Sequence, residues 1–216
     1  MQDKTQWLDN FITEVIDGWI CQDLERLLTD IPHRPGMAGN CNFPIALYIF
    51  SCLEFLGNLT SPVLISNNQP GHTKDRILSY IDTFFLEEFV KEMKPHRNNF
   101  VNIFRNGLAH EYFAKSAGIS RTEVCLLQVN NQGQLVLDAD RFAEAFRTSI
   151  ERLKEAIKAD TALVERIVER YRNSYQNNLR FRVTPTTTMI STASLVHPDV
   201  KLTTTTLPYS PDQKKQ

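Results

Sequence analysis

Residues 43–59 read Phe-Pro-Ile-Ala-Leu-Tyr-Ile-Phe-Ser-Cys-Leu-Glu-Phe-Leu-Gly-Asn-Leu, with polar side chains at Ser51, Glu54 and Asn58 alone. A helix that is apolar on almost every side has no face to offer water, so it belongs in the middle of a bundle of other helices. The neighbouring segments supply those partners. Upstream, residues 4–29 carry Trp7/Leu8, Phe11/Ile12, Val15/Ile16, Trp19/Ile20, Leu24 and Leu27/Leu28, a double-width stripe recurring every four residues. That pattern predicts a long amphipathic helix, stopped by Pro32, with Pro-His-Arg-Pro-Gly over 32–36 as a connector.

Downstream, residues 60–73 mix Thr, Ser, Pro, Asn and Gly and read as a loop. A third helix is predicted over about 74–93, with Ile77, Ile81, Phe84/Phe85 and Phe89 on one face; these phenylalanines read as core rather than as a stacking platform. Pro95 stands near the first turn of a fourth helix that runs to about Tyr112. Phe100, Phe104, Leu108 and Tyr112 form its apolar line, while Asn102, Asn106 and His110 line the other side, with Arg105 beside Asn106. Between 122 and 138 the period shortens to that of a β-hairpin turning at Asn-Asn-Gln-Gly. Asp138 or Asp140 then caps a last long helix, Phe142 to Tyr175, in which Asp160 and Thr161 mark a bend. From 178 to 216 the composition turns to Thr and Pro with few large apolar residues, so this tail is expected to be extended or disordered; 179–183 alternate and offer a short strand. The expected fold is an all-α, up-and-down bundle over 1–177 with a small β-hairpin inserted before the last helix.

At 216 residues, 42% of them hydrophobic, the chain is long enough for one well-buried domain. Its net charge of −1 supplies no overall cationic field for nucleic acid, so any RNA contact must be a local patch. Cys21, Cys41, Cys52 and Cys125 have no Cys-x2-Cys spacing and read as structural thiols. The amino terminus lacks a basic region followed by an apolar run, and no stretch holds the roughly 18 uninterrupted apolar residues of a membrane span. The expectation is a cytoplasmic protein that binds no membrane.

The chemistry is concentrated in residues 104–113, Phe-Arg-Asn-Gly-Leu-Ala-His-Glu-Tyr-Phe, which place a guanidinium, an amide and an imidazole within two helical turns. Arg105 can hold charge developing on a phosphate through its planar fork, and His110 can move a proton near neutral pH. Together they are sufficient for phosphodiester cleavage without a metal. The bland alternative is that Arg105 and His110 brace the bundle, satisfied by a carboxylate and a carbonyl. Glu54 has two readings as well: a buried partner that orients Arg105, or one member of a narrow solvated stripe with Ser51 and Asn58. His96, beside Arg97, can add positive charge near the motif, whereas His33, His72 and His197 read as surface residues. The sequence holds no His-x3-His, Glu-x-x-His, Gly-rich phosphate loop or nucleophile elbow, so neither metal nor cofactor is expected.

A helical bundle with Arg-Asn-x3-His near the end of a late helix resembles the HEPN superfamily (higher eukaryotes and prokaryotes nucleotide-binding). The likeness covers residues 4–175 in architecture and is specific at 105–110. It implies that Arg105 and His110 are a catalytic pair with Asn106 as polar partner; Glu54, Asn102 and His96 are supporting candidates by their own character and place in the sequence, not by the resemblance. It also implies two protomers facing their motifs into one cleft, RNA as substrate, no metal, and a role as a toxin–antitoxin or antiviral effector, with an antitoxin protein as a further partner. A non-catalytic helical module that binds a nucleotide, RNA or a protein through the same face is the rival.

Overall fold

The computed structural model describes residues 4–31, 34, 40–63, 72–111, 114–122 and 125–176. The tail over 178–216 and its strand, with His33, Tyr112 and His197, lie outside the described residues. What is described is mostly helical with a small three-stranded sheet.

Helix α1 runs over 4–29 as Lys4–Asn10, a stretch of wide π turns over Phe11–Cys21, and Gln22–Thr29. Of its double stripe Trp7, Phe11, Val15, Ile16, Ile20 and Leu24 are buried, Leu8, Ile12, Leu27 and Leu28 are half-buried against the core, and Trp19 is 61% exposed. Helix α2 is Asn42–Thr60, and from Ile45 onward its apolar residues are buried on most sides, as the composition demands. It has the length and hydropathy of a membrane span, but more than half of it is buried inside the bundle, which accounts for the hydropathy without a membrane.

Helix α3, His72–Phe84, crosses α2 at Gly57, where an added Cβ would stand 2.1 Å from the carbonyl oxygen of Arg76. The single helix expected over 74–93 is broken. Phe84 and Phe85 are adjacent and both buried, and a continuous helix would aim them about 100° apart. The chain instead extends at Leu86 (φ −66°, ψ 148°) and restarts as α4, Glu87–Met93. The Arg152 guanidinium donates to the freed carbonyl of Phe85. A 3₁₀ turn, Lys94–His96, carries Pro95 into α5, which spans 97–111 and includes wide π turns over Val101–Asn106.

The hairpin is present as β2, Leu127–Val129, and β3, Leu135–Asp138, which pair antiparallel, and a strand the sequence reading lacks, β1, Gly118–Ser120, pairs parallel with β3. The order is β1-β3-β2. Asp138 then N-caps α6, Ala139–Ala159, accepting from the backbone N–H groups of Asp140 and Arg141. The bend falls where expected: Asp160 leaves the helix and caps α7, which covers 161–176.

Two arginine-centred arrangements tie distant segments together. Arg121 is 6% exposed; its Nε donates to both carboxylate oxygens of Asp140 (2.9 and 3.0 Å), and Nη1 donates to the carbonyls of Ile31 and Asn40. At the other end of α2, Arg166 donates to the carbonyl of Thr60 and Arg170 to those of Asn58 and Ser61, filling acceptors that a helix C-terminus leaves open.

Candidate functional site

Helix α5 is held by its apolar face. Phe100 packs against Phe50 at 5.1 Å, Phe104 at 5.7 Å and Phe142 at 5.9 Å between ring centroids, and Phe100, Phe104 and Leu108 are buried. Phe50 and Phe142 belong to α2 and α6, so these two helices hold the apolar face of α5 and leave its polar face outward.

On that face Arg105 is half-buried. Its Nη2 donates to Glu54 Oε2 at 2.7 Å and its Nη1 to Asn106 Oδ1 at 3.2 Å. The other Glu54 oxygen, Oε1, accepts from Thr73 Oγ1 at 2.7 Å. Side-chain exposure is 23% for Arg105 and 21% for Glu54, deep enough for the pair to be ordered and shallow enough for a ligand to reach it. The chain Thr73–Glu54–Arg105–Asn106 therefore links α3, α2 and α5. Of the two readings of Glu54, the structure takes the pairing with Arg105. The solvated stripe is not formed, since Ser51 is exposed while Asn58 is buried, with its Nδ2 3.5 Å from the Tyr175 hydroxyl.

The close crossing at Gly57 explains how Thr73 reaches Glu54. With no Cβ on Gly57, α3 lies directly against α2, and the first turn of α3 comes within reach of a glutamate one turn earlier on α2. Nothing in the polar, loop-like composition of 60–73 signals that Thr73 has this role.

His110 lies one turn beyond Asn106, exposed, and hydrogen-bonds to none of the described residues. Asn106 accepts from Arg105 rather than bonding to His110. Asn102, one turn before Asn106, is exposed and outside the chain of hydrogen bonds. His96 is half-buried at the start of α5, roughly 13 Å along the helix axis from Arg105. Beside it, Arg97 is paired with Asp82. The structure thus brings Glu54, Arg105 and Asn106 together, sets His110 on the next turn, and leaves Asn102 and His96 apart.

The chain matches no family model, no curated protein and no solved structure. Its chemistry has to be argued from the side chains. Among the described residues no group of three or more His, Cys, Asp or Glu side chains is placed to hold a metal ion. The four cysteines are free thiols, and burial pushes Cys52 up to about 12, which suits a packing role. His72, expected on the surface, is half-buried at the start of α3.

Arg105 commits one N–H to Glu54 and one to Asn106. A guanidinium has five, so among the described residues three have no partner and can meet an incoming anion, fixed in direction by the two that are used. An imidazole on the following turn can accept or donate a proton at whatever that anion carries.

Proposed function

We propose that the chain is a metal-independent endoribonuclease of HEPN type. The observation that carries this reading is the Arg105 guanidinium, aimed by Glu54 and Asn106, one turn from an exposed His110 that hydrogen-bonds to none of the described residues. In the reaction His110 accepts the proton of a ribose 2′-OH, the 2′-oxygen attacks the adjacent phosphorus, and Arg105 stabilises the charge that gathers on the phosphoryl oxygens. The bond to the 5′-oxygen breaks, leaving a 2′,3′-cyclic phosphate, and that oxygen takes up a proton. One His cannot conveniently serve both transfers, so the second proton comes from His110 of a second copy related by two-fold symmetry. Toxin–antitoxin or antiviral defence is the setting such an activity suits.

The Arg105–Glu54 ion pair supports a second reading, in which the same face binds a nucleotide, RNA or a protein and Arg105 braces α5 against α2 without doing chemistry. One experiment separates the two. Purified protein incubated with single-stranded RNA in EDTA should cleave it, and His110→Ala should lose about 10²–10⁴-fold while staying folded. An inert wild type supports the binding module instead, whereas a His110→Ala variant as active as a cleaving parent removes His110 from the mechanism. Mixed Arg105→Ala and His110→Ala chains should regain part of the activity where each site draws on both copies.

A further inference from the structure

Arg105 does not face solvent as a free cation. Its charge is matched by Glu54, and Glu54 is itself held by Thr73, at 2.7 Å on each side. A carboxylate that accepts from two helices at once is fixed in position as well as in charge. For a group meant to grip phosphate this has two opposite effects. The carboxylate repels any phosphate that approaches the guanidinium, which weakens binding, and it fixes the plane of the guanidinium, which improves alignment with the reacting phosphorus.

We propose that Glu54, clasped by Thr73, is a resident counter-ion of Arg105 that trades affinity for alignment, so that RNA binding and RNA cutting move in opposite directions when its charge is removed. The proposal rests on the reading of Arg105 as the phosphate-holding group. Glu54 and Thr73 are positioning residues here; neither touches the reacting atoms. Thr73 acts through Glu54 alone, because its hydroxyl meets Oε1 and the guanidinium meets Oε2.

The test measures binding and cleavage separately. Binding is followed by fluorescence anisotropy at low salt, using a short single strand with 2′-deoxy sugars throughout, which cannot be cut by 2′-oxygen attack. Glu54→Gln keeps the side-chain shape and loses the charge. It should bind that strand about three- to tenfold more tightly, as expected for a half-exposed charge, and should cleave RNA about tenfold more slowly or worse. Glu54→Asp keeps the charge and withdraws it, so binding should stay within about twofold while kcat falls. Thr73→Val should lower kcat severalfold with KM nearly unchanged, and Thr73→Ser should restore it.

Weaker binding in Glu54→Gln, or no change in either readout, would overturn the proposal and leave the pair as a brace. Equal loss in Thr73→Val and Thr73→Ser would remove Thr73 from it. A wild type that cleaves nothing defeats the nuclease reading, and the binding arm still decides whether Glu54 opposes an anion at Arg105.

Discussion

Replacing Gly57 with Ala is the sharpest structural test of how the site is assembled. In a solvent-exposed helix the change should help, because Ala is favoured over Gly by about 1 kcal/mol. Here the new Cβ would stand 2.1 Å from the oxygen, 2.6 Å from the carbon and 3.2 Å from the Cα of Arg76. Those are backbone atoms of α3, so no rotamer change relieves the clash, and α2 and α3 must part by roughly 1 Å to reach ordinary contact. Overpacking of this kind costs about 1–3 kcal/mol, and the upper part of that range applies where backbone must move. After the helix-propensity gain, a net loss of about 1–2 kcal/mol remains. For a chain of this size that lowers Tm by about 2–8 °C. Thr73 lies one turn before Arg76, so the same separation lengthens its bond to Glu54 and should lower cleavage as well. Thermal unfolding followed by circular dichroism measures the first effect and RNA cleavage the second. Gly118→Ala is the control, since the nearest atoms its Cβ would meet are those of the Val136 side chain, from 3.4 Å. A Gly57→Ala protein as stable as the parent, or more stable, would refute the close crossing and with it the account of how Thr73 reaches Glu54.

Arg121→Ala should be among the most damaging substitutions, at about 3–5 kcal/mol, because it leaves the Asp140 carboxylate and the carbonyls of Ile31 and Asn40 without their shared donor; denaturant titration checks this, and a loss under about 1 kcal/mol would contradict the buried clamp. Asp138 should give a stability that depends on acid. Burial pushes its carboxyl up, but hydrogen bonds from the Arg141 and Thr122 backbone and from the Thr122 and Ser120 hydroxyls outweigh it and hold the group below its usual 3.8. A depressed carboxyl stabilises the fold above the unfolded value, and that contribution disappears as the pH falls below 3.8 through the folded value. Asp138→Asn still caps α6 and should flatten the drop in Tm in that range; an unchanged slope would place the acid sensitivity elsewhere.

The mostly helical build is legible in the periodicity of the apolar residues. A helix as apolar as 43–59 has to be surrounded, and the stripes on either side are the surfaces that surround it. What the sequence does not show depends on contacts between segments far apart in the chain. The break at Phe85–Leu86 serves two adjacent rings that must both be buried, which a periodicity count treats as one wide stripe. Strand β1 is three residues long and exists because Leu135–Asp138 offers it a free edge. At the site, Arg105, Asn106 and His110 stand close in sequence and could be read directly. Glu54 could only be left between two fates, since its partner lies 51 residues away. Thr73 gave no signal, being an unremarkable polar residue in a stretch that reads as loop.

In the proposed reaction a 2′-oxygen, activated by His110 beside Arg105, displaces the 5′-oxygen of RNA. The most direct measurement is the mass of the upstream fragment after cleavage in EDTA. A 2′,3′-cyclic phosphate at its 3′ end, formed by wild type and lost with His110→Ala, is the predicted result. Fragments ending in 3′-OH with 5′-phosphate on the downstream piece, or equal cleavage of an all-deoxy strand, would contradict it.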